Sequence, residues 1–306
     1  MSPLRGILLK LAAVCVFVAM SALIKAARDE VPPGEALFFR AFFALPVIVV
    51  WLLLRGELAN GLRTASPQSH VFRGLFGTAA MGLSFAGLGL LPLPEVTALS
   101  YAAPLLVVVF AAMFLGEKVR AFRLSMVGLG LVGVLIVLSP RLSVDVGAAG
   151  TGETLGALVV LLGAVCAALA QVFIRKMVAT ESTSAIVFWF SVTATVASLV
   201  TLPWGWVVPS PQIAAFLVAA GLLGGIGQIL LTSSYRHADA SLIAPFDYAS
   251  MLLALVIGYV FFAELPTLTM LGGAALITAA GVAIILRERQ LGLERARQRK
   301  ATAQGH

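Results

Sequence analysis

Asp247 is the acid set deepest in an apolar stretch of this 306-residue chain, within the run Pro245-Phe246-Asp247-Tyr248-Ala249-Ser250. A carboxylate in that setting can exchange a proton, hold a cation, or serve as a structural acid bonded to a neighbouring helix. It lies about seven residues into its stretch, or about 10 Å from one membrane face at 1.5 Å rise per residue. Pro245 removes a backbone donor just before it and favours a local helix break. Arg40 lies about 9 Å from the opposite face by the same rise. Across a ~30 Å apolar core, that leaves roughly 10 Å of depth between the two charges. A direct Arg40–Asp247 pair is therefore not expected, and Glu35 or Glu95 is the expected partner of Arg40. Tyr101 and Tyr248 offer a ring face and a hydroxyl, Gln171 and Gln228 offer amides in mid-span, and Trp189 offers an indole. Each can contact a solute or bond one helix to another. These seven residues form the candidate substrate-binding set, with Asp247 the candidate coupling group.

The elements that carry them are apolar. The chain is 60% hydrophobic and 11% charged, with mean hydropathy +1.02. A soluble chain of this length carries far more charge. Continuous runs such as Leu105 to Leu115 exclude the period-2 alternation of a membrane barrel. The expected fold is an all-α integral membrane protein with ten spans, near 6–27, 34–54, 71–91, 93–115, 122–139, 155–177, 184–202, 212–235, 240–262 and 267–286. A Gly/Ser/Thr-rich segment, 140–154, joins a first five-helix unit (1–139) to a second (155–286), and a basic tail follows (287–306).

Lys and Arg set the orientation. With the N-terminus inside, the cytoplasmic segments hold Arg5, Lys10, Arg55, Arg63, Arg73, Lys118, Arg120, Arg123, Arg175, Lys176, Arg236 and the six basic residues after Leu286, leaving Lys25, Arg28 and Arg141 outside and Arg40 within a span. Both termini are expected in the cytoplasm, with the tail on anionic inner-leaflet lipid. That tail accounts for most of the +7 charge without nucleic acid. The first apolar segment reads as a retained span rather than a signal peptide, because its copy lies in mid-chain. Cys15 and Cys166 could pair, but read more simply as small packing residues.

Residues 73–122 align without a gap on 220–269: Gly74 meets Gly221, Tyr101 meets Tyr248, Phe114 meets Phe261 and Glu117 meets Glu264. Ala13-Val14-Cys15 meets Ala164-Val165-Cys166, and Lys25 meets Lys176. Five spans is an odd number, so the second copy enters from the other side and the repeats are inverted. Symmetry is broken where Arg40 faces Trp189, Ser100 faces Asp247 and Pro104 faces Met251. Glu117 and Glu264 read as structural acids at the N-terminus of the following helix, and Lys25 and Lys176 as interfacial. Gly128-Leu129-Gly130-Leu131-Val132-Gly133 matches a dinucleotide fingerprint in letters only, because it lies inside an apolar helix with no strand before it. It reads as a close helix contact. There is no phosphate loop, no HExxH and no aspartate-rich motif, so no cofactor, no metal and no enzyme activity is expected.

Phe-Phe-Arg-Ala-Phe-Phe (38–43), Tyr101-x-x-Pro104-Leu105, Leu115-Gly116-Glu117 and the second copy's Tyr248 and Phe262-Ala263-Glu264 resemble the drug/metabolite transporter superfamily, in its two-copy EamA type. The resemblance spans about Gly6 to Leu286. It implies inverted repeats around a central cavity, alternating access, and a small-molecule substrate. The stretch from Gly87 to Glu95 with Tyr101-Ala-Ala-Pro-Leu is most similar to the branch with riboflavin importers; related branches take up S-adenosylmethionine or export amino acids.

The expected function is secondary transport of a small organic metabolite across a bacterial inner membrane, with riboflavin uptake as the substrate reading. The cavity is expected between spans 1, 3, 4, 6, 8 and 9. Proton coupling is one option beside uniport, and export is the alternative direction. A membrane-embedded enzyme acting on lipid and a non-transporting assembly partner are the competing classes.

Overall fold

A computed structural model describes residues 3–115, 121–142, 151–177, 180–237 and 244–304. Glu117 and most of the expected linker lie outside them. The regular elements among the described residues are all helical. They form α1 (Pro3–Ala26), α2 (Pro33–Phe42), α3 (Ala44–Leu54), a single turn α4 (Leu58–Gly61), α5 (Pro67–Leu90), α6 (Leu93–Ser100), α7 (Ala102–Leu115), α8 (Ala121–Leu142), α9 (Thr151–Met177), α10 (Thr183–Leu199), α11 (Pro211–His237), a 3₁₀ turn (Ala244–Tyr248), α12 (Ala249–Phe262) and α13 (Leu268–Gln304). Seven helical stretches are long and apolar enough to cross a membrane. Three shorter apolar helices, 124–139, 184–199 and 246–262, complete the ten expected spans.

Three spans are broken, and proline accounts for two of the breaks. Pro46 and Pro104 each follow a break by three residues, at Phe43 and Tyr101. A proline ring clashes with the carbonyl four residues back and leaves it without a donor, so the helix opens there. The ninth span breaks at the repeat mate of Tyr101. Tyr248 ends the 3₁₀ turn that Pro245 helps to open, and its backbone (φ −68°, ψ −13°) nearly reproduces that of Tyr101 (φ −68°, ψ −6°). Met251 stands where the first copy has Pro104, so the kink outlasts the loss of that proline.

Packing follows the duplication. α1 packs on α11, and α9, the repeat mate of α1, packs on α5, the mate of α11. α8 lies along α13, its own mate. Apolar helices gain little from burial within lipid, so contacts between them rest on close approach of small residues. Gly133, the last glycine of the false fingerprint, lies against the Gly273 backbone of α13; a Cβ there would sit 2.9 Å from the Gly273 carbonyl. That is the close helix contact the sequence suggested.

The connections fall into two sets, as ten alternating spans require. Glu181, in the turn before α10, accepts from the Ala65 and Ser66 amides (both 2.8 Å) and from Thr64 Oγ1 (3.0 Å), in the loop before α5. At the other end, Glu30 accepts from Ser210, and Glu35 accepts from the Val207 amide (3.0 Å).

Candidate functional site

Tyr101 and Tyr248 meet where the broken spans cross. Their ring centroids are 5.0 Å apart and the planes are inclined at 69°. The Tyr101 hydroxyl lies 2.6 Å from Ser250 Oγ, and 3.4 Å from the carbonyls of both Asp247 and Tyr248. Ser250 Oγ in turn donates to the Asp247 carbonyl at 2.7 Å. A helix break inside a bilayer frees carbonyls that lipid cannot satisfy. Here a side chain from the first repeat satisfies those freed by the break in the second. On the far side, the Tyr248 hydroxyl abuts Gly281 of α13, where a Cβ would overlap it. The mates therefore face each other, and both are largely buried.

Asp247 is held by a partner that sequence reasoning missed. Lys10 Nζ lies 2.7 Å from Asp247 Oδ1; the lysine side chain is 2% exposed and the aspartate 48%. The sequence reading placed Lys10 among the cytoplasmic charges. α1 begins at Pro3, so Lys10 is two turns inside the helix and reaches the ninth span. Its place inside the first apolar run was the available signal, since an unpaired ammonium there is costly.

A second ion pair joins the same two spans toward their other ends. Lys25 Nζ lies 2.8 Å from Glu264 Oε1 and donates to the carbonyls of Leu91 (2.7 Å) and Leu88 (3.3 Å). Glu264 Oε2 accepts from the Leu93 amide (2.9 Å), the first residue of α6. Two expectations are corrected here. Lys25 is 2% exposed rather than interfacial, because carbonyls freed at the end of α5 draw it in. Glu264 caps the helix of the opposite repeat, not the one that follows it. Ala263, in the left-handed region at φ 53°, turns the chain so that Glu264 points back over Gly258. Breaking a buried pair by removing one partner costs about 3–5 kcal/mol.

Arg40 is placed differently from expectation. It is 2% exposed, and among the described residues neither Glu35 nor Glu95 forms an ion pair with it. Glu35 is turned to Val207, whereas Arg40 runs toward mid-membrane. A Cβ on Gly224, the middle residue of α11, would lie 2.9 Å from Arg40 Nε. Its Cζ is 5.7 Å from the Phe190 ring centroid, and Arg73 Cζ is 3.7 Å from the same centroid. Arg73 was also read as cytoplasmic; α5 begins at Pro67, so it is inside the span and 7% exposed.

The remaining candidates stand apart from the tyrosines. Trp189 Nε1 donates to the Leu62 carbonyl at 3.0 Å, and the indole packs on Phe188. It anchors the turn before α5. Gln171 is exposed on α9 and Gln228 half-buried on α11. Neither forms a side-chain hydrogen bond among the described residues. Cys15 and Cys166 are free thiols.

The EamA-like transporter family model matches residues 4–139 and again 154–287. The chain is 31% identical over 283 residues to the pseudopaline exporter of Pseudomonas aeruginosa, covering 91% of this chain and 95% of that one. It is 28% identical to an S-adenosylmethionine uptake transporter of Rickettsia felis (84% of each chain). It is 30% identical to a riboflavin transporter of Rhizobium johnstonii (84% of this chain, 82% of that one). A solved crystal structure shares the fold at TM-score 0.67 and 23% identity, covering 94% of this chain and 98% of the other. The relatives are transporters, and the helices are those of a multi-pass membrane protein. The two copies seen in the sequence are two EamA units, and the chain belongs to the EamA-like transporter family of the drug/metabolite transporter superfamily.

Proposed function

We propose that the protein is a secondary transporter that moves a small charged metabolite by alternating access between its two repeats, in a bacterial inner membrane with both termini cytoplasmic. The observation that carries the reading is the pair of ion pairs along α1. Lys10 and Lys25 are fifteen residues apart, or about 22 Å at 1.5 Å per residue. Each is bound to an acid of the ninth span, one toward each end. Such pairs act as seams: rocking the repeats opens one while the other stays shut. The outer seam is dry, with Glu264 only 14% exposed, whereas Asp247 in the inner seam is 48% exposed. A solute ammonium or a proton competes with Lys10 for that carboxylate, which is the coupling role given to Asp247.

A second reading, riboflavin uptake, is favoured by the inclined Tyr101–Tyr248 pair, which offers ring faces at the crossing of the broken spans. The riboflavin transporter among the relatives supports it as well.

Flux into proteoliposomes tests the transport reading. Radiolabelled S-adenosylmethionine, amino acids and riboflavin are presented to vesicles with and without the purified protein. Protein-dependent movement of an unchanged solute supports transport. Chemical conversion, or no movement of any solute, contradicts it.

A further inference from the structure

The two buried arginines take no part in the seams, and among the described residues neither forms an ion pair. Nε and Nη1 of both Arg40 and Arg73 are buried without a hydrogen-bond acceptor, as are Thr78 Oγ1 and Ser191 Oγ. Thr78 is 7% exposed and Ser191 not at all. These groups belong to three helices. Arg73 and Thr78 are on α5, Ser191 follows Phe190 on α10, and Arg40 comes from α2. The two guanidinium groups converge on the Phe190 ring, and the ring face offsets only part of the cost of burying two like charges.

A structural explanation of this cluster would supply acceptors. Buried arginine is normally retained where a carboxylate or carbonyl takes its fork of N–H groups. No described acceptor fills that place. Gly224 keeps the space beside Arg40 clear of any side chain, since a Cβ there would lie 2.9 Å from Nε. What is missing is an acceptor-only group with delocalised negative charge, matched to guanidinium geometry.

We infer that Arg40 and Arg73 form an occluded anion site that receives a carboxylate of the transported solute when the repeats move apart. The inference rests on the transport reading and narrows its substrate class to carboxylate-bearing metabolites. The site lies between spans 2, 3 and 7, away from the crossing of spans 4 and 9 where the tyrosines meet. A solute with both a carboxylate and an ammonium would thus use two separate charged regions, the arginines for one and Asp247 for the other.

Full-length protein in nanodiscs tests this with three probes: succinate, its neutral counterpart succinamide, and inorganic phosphate. Succinate should raise the melting temperature at millimolar concentration, and succinamide should not. Arg40→Gln and Arg73→Gln should each weaken succinate binding by at least about tenfold, with Arg→Lys variants intermediate. Phenylglyoxal labelling of wild-type protein, read by mass spectrometry at Arg40 and Arg73, gives a readout that needs no variant: succinate should slow it, and succinamide should not. Equal effects of phosphate and succinate would overturn the carboxylate assignment. Unchanged labelling, or succinate binding retained in both Gln variants, would overturn the site. If the wild-type protein moves riboflavin in vesicles and never responds to carboxylates, transport stands and the anion site falls. If succinate binds as expected and no solute moves in vesicles, the site stands and the transport reading falls.

Discussion

Lys10 Nζ and Asp247 Oδ1 stand 2.7 Å apart, joining the first span to the ninth. The lysine is almost fully buried, and the aspartate is half open. A charge with one face available can change partners, whereas a fully enclosed one cannot do so without a larger rearrangement. Asp247→Asn should therefore lower flux and alter its pH dependence, while the protein stays folded. Uptake by vesicles across a pH series checks this. An unaltered rate and profile would remove Asp247 from coupling.

The Lys25–Glu264 pair has the opposite character. It is dry, and its acid also caps α6. Lys25→Met or Glu264→Met should each cost about 3 kcal/mol, and the double variant should cost less than the sum of the two, since a matched apolar pair leaves no orphan charge. Thermal melts of the three variants decide it. Additive losses would show that the two groups do not act as a pair.

Gly281 is fixed by the Tyr248 hydroxyl. Gly281→Ala should push the tyrosine off its place and cost about 1–3 kcal/mol, the usual range for overpacking. Tyr248→Phe in the same chain should recover part of that loss by removing the overlapping oxygen. If Gly281→Ala melts like wild type, α13 does not press on Tyr248.

Glu181 ties the turn before α10 to the loop before α5. Burial pushes its carboxyl up, but the Ser66 amide, Thr64 hydroxyl, His70 ring and Ala65 amide outweigh that and hold it below its ordinary value of 4.5. His70 Nε2 stands 3.4 Å from Glu181 Oε2 without the alignment of a full hydrogen bond. Because the folded value is depressed, the stabilisation is complete above pH 4.5 and is lost as pH falls through the folded value. Melting curves of wild type should therefore show an acid-side loss that Glu181→Gln lacks, with the variant already lower by about 2 kcal/mol at neutral pH. The same acid-side loss in both proteins would contradict this.

Much of the fold was legible because hydrophobic span length and the duplication are both one-dimensional signals. Ten apolar stretches, the break at Pro245 and the pairing of Tyr101 with Tyr248 could be read from spacing alone. The ion pairs were not. Lys10, Lys25 and Arg73 stand near the ends of apolar runs, where a long basic side chain can reach either the interface or the interior. Which way it turns depends on what the neighbouring helix presents. For Lys25 that is a pair of carbonyls freed at the end of α5, for Lys10 a carboxylate from the other repeat, and for Arg73 the face of Phe190. Trp189 shows the converse. It mates with Arg40 in sequence, yet it anchors a turn near Leu62, because the two halves keep their backbone likeness while their side chains have parted.

The central claim is that α1 and the ninth span separate at one end at a time. The most direct measurement is flux through a chain with Cys15 and Cys166 replaced by Ala and with Lys25→Cys and Glu264→Cys, before and after a short bis-methanethiosulfonate cross-linker. The account predicts that the linked protein carries no solute and that reduction restores the flux. Undiminished flux through the linked protein would contradict it.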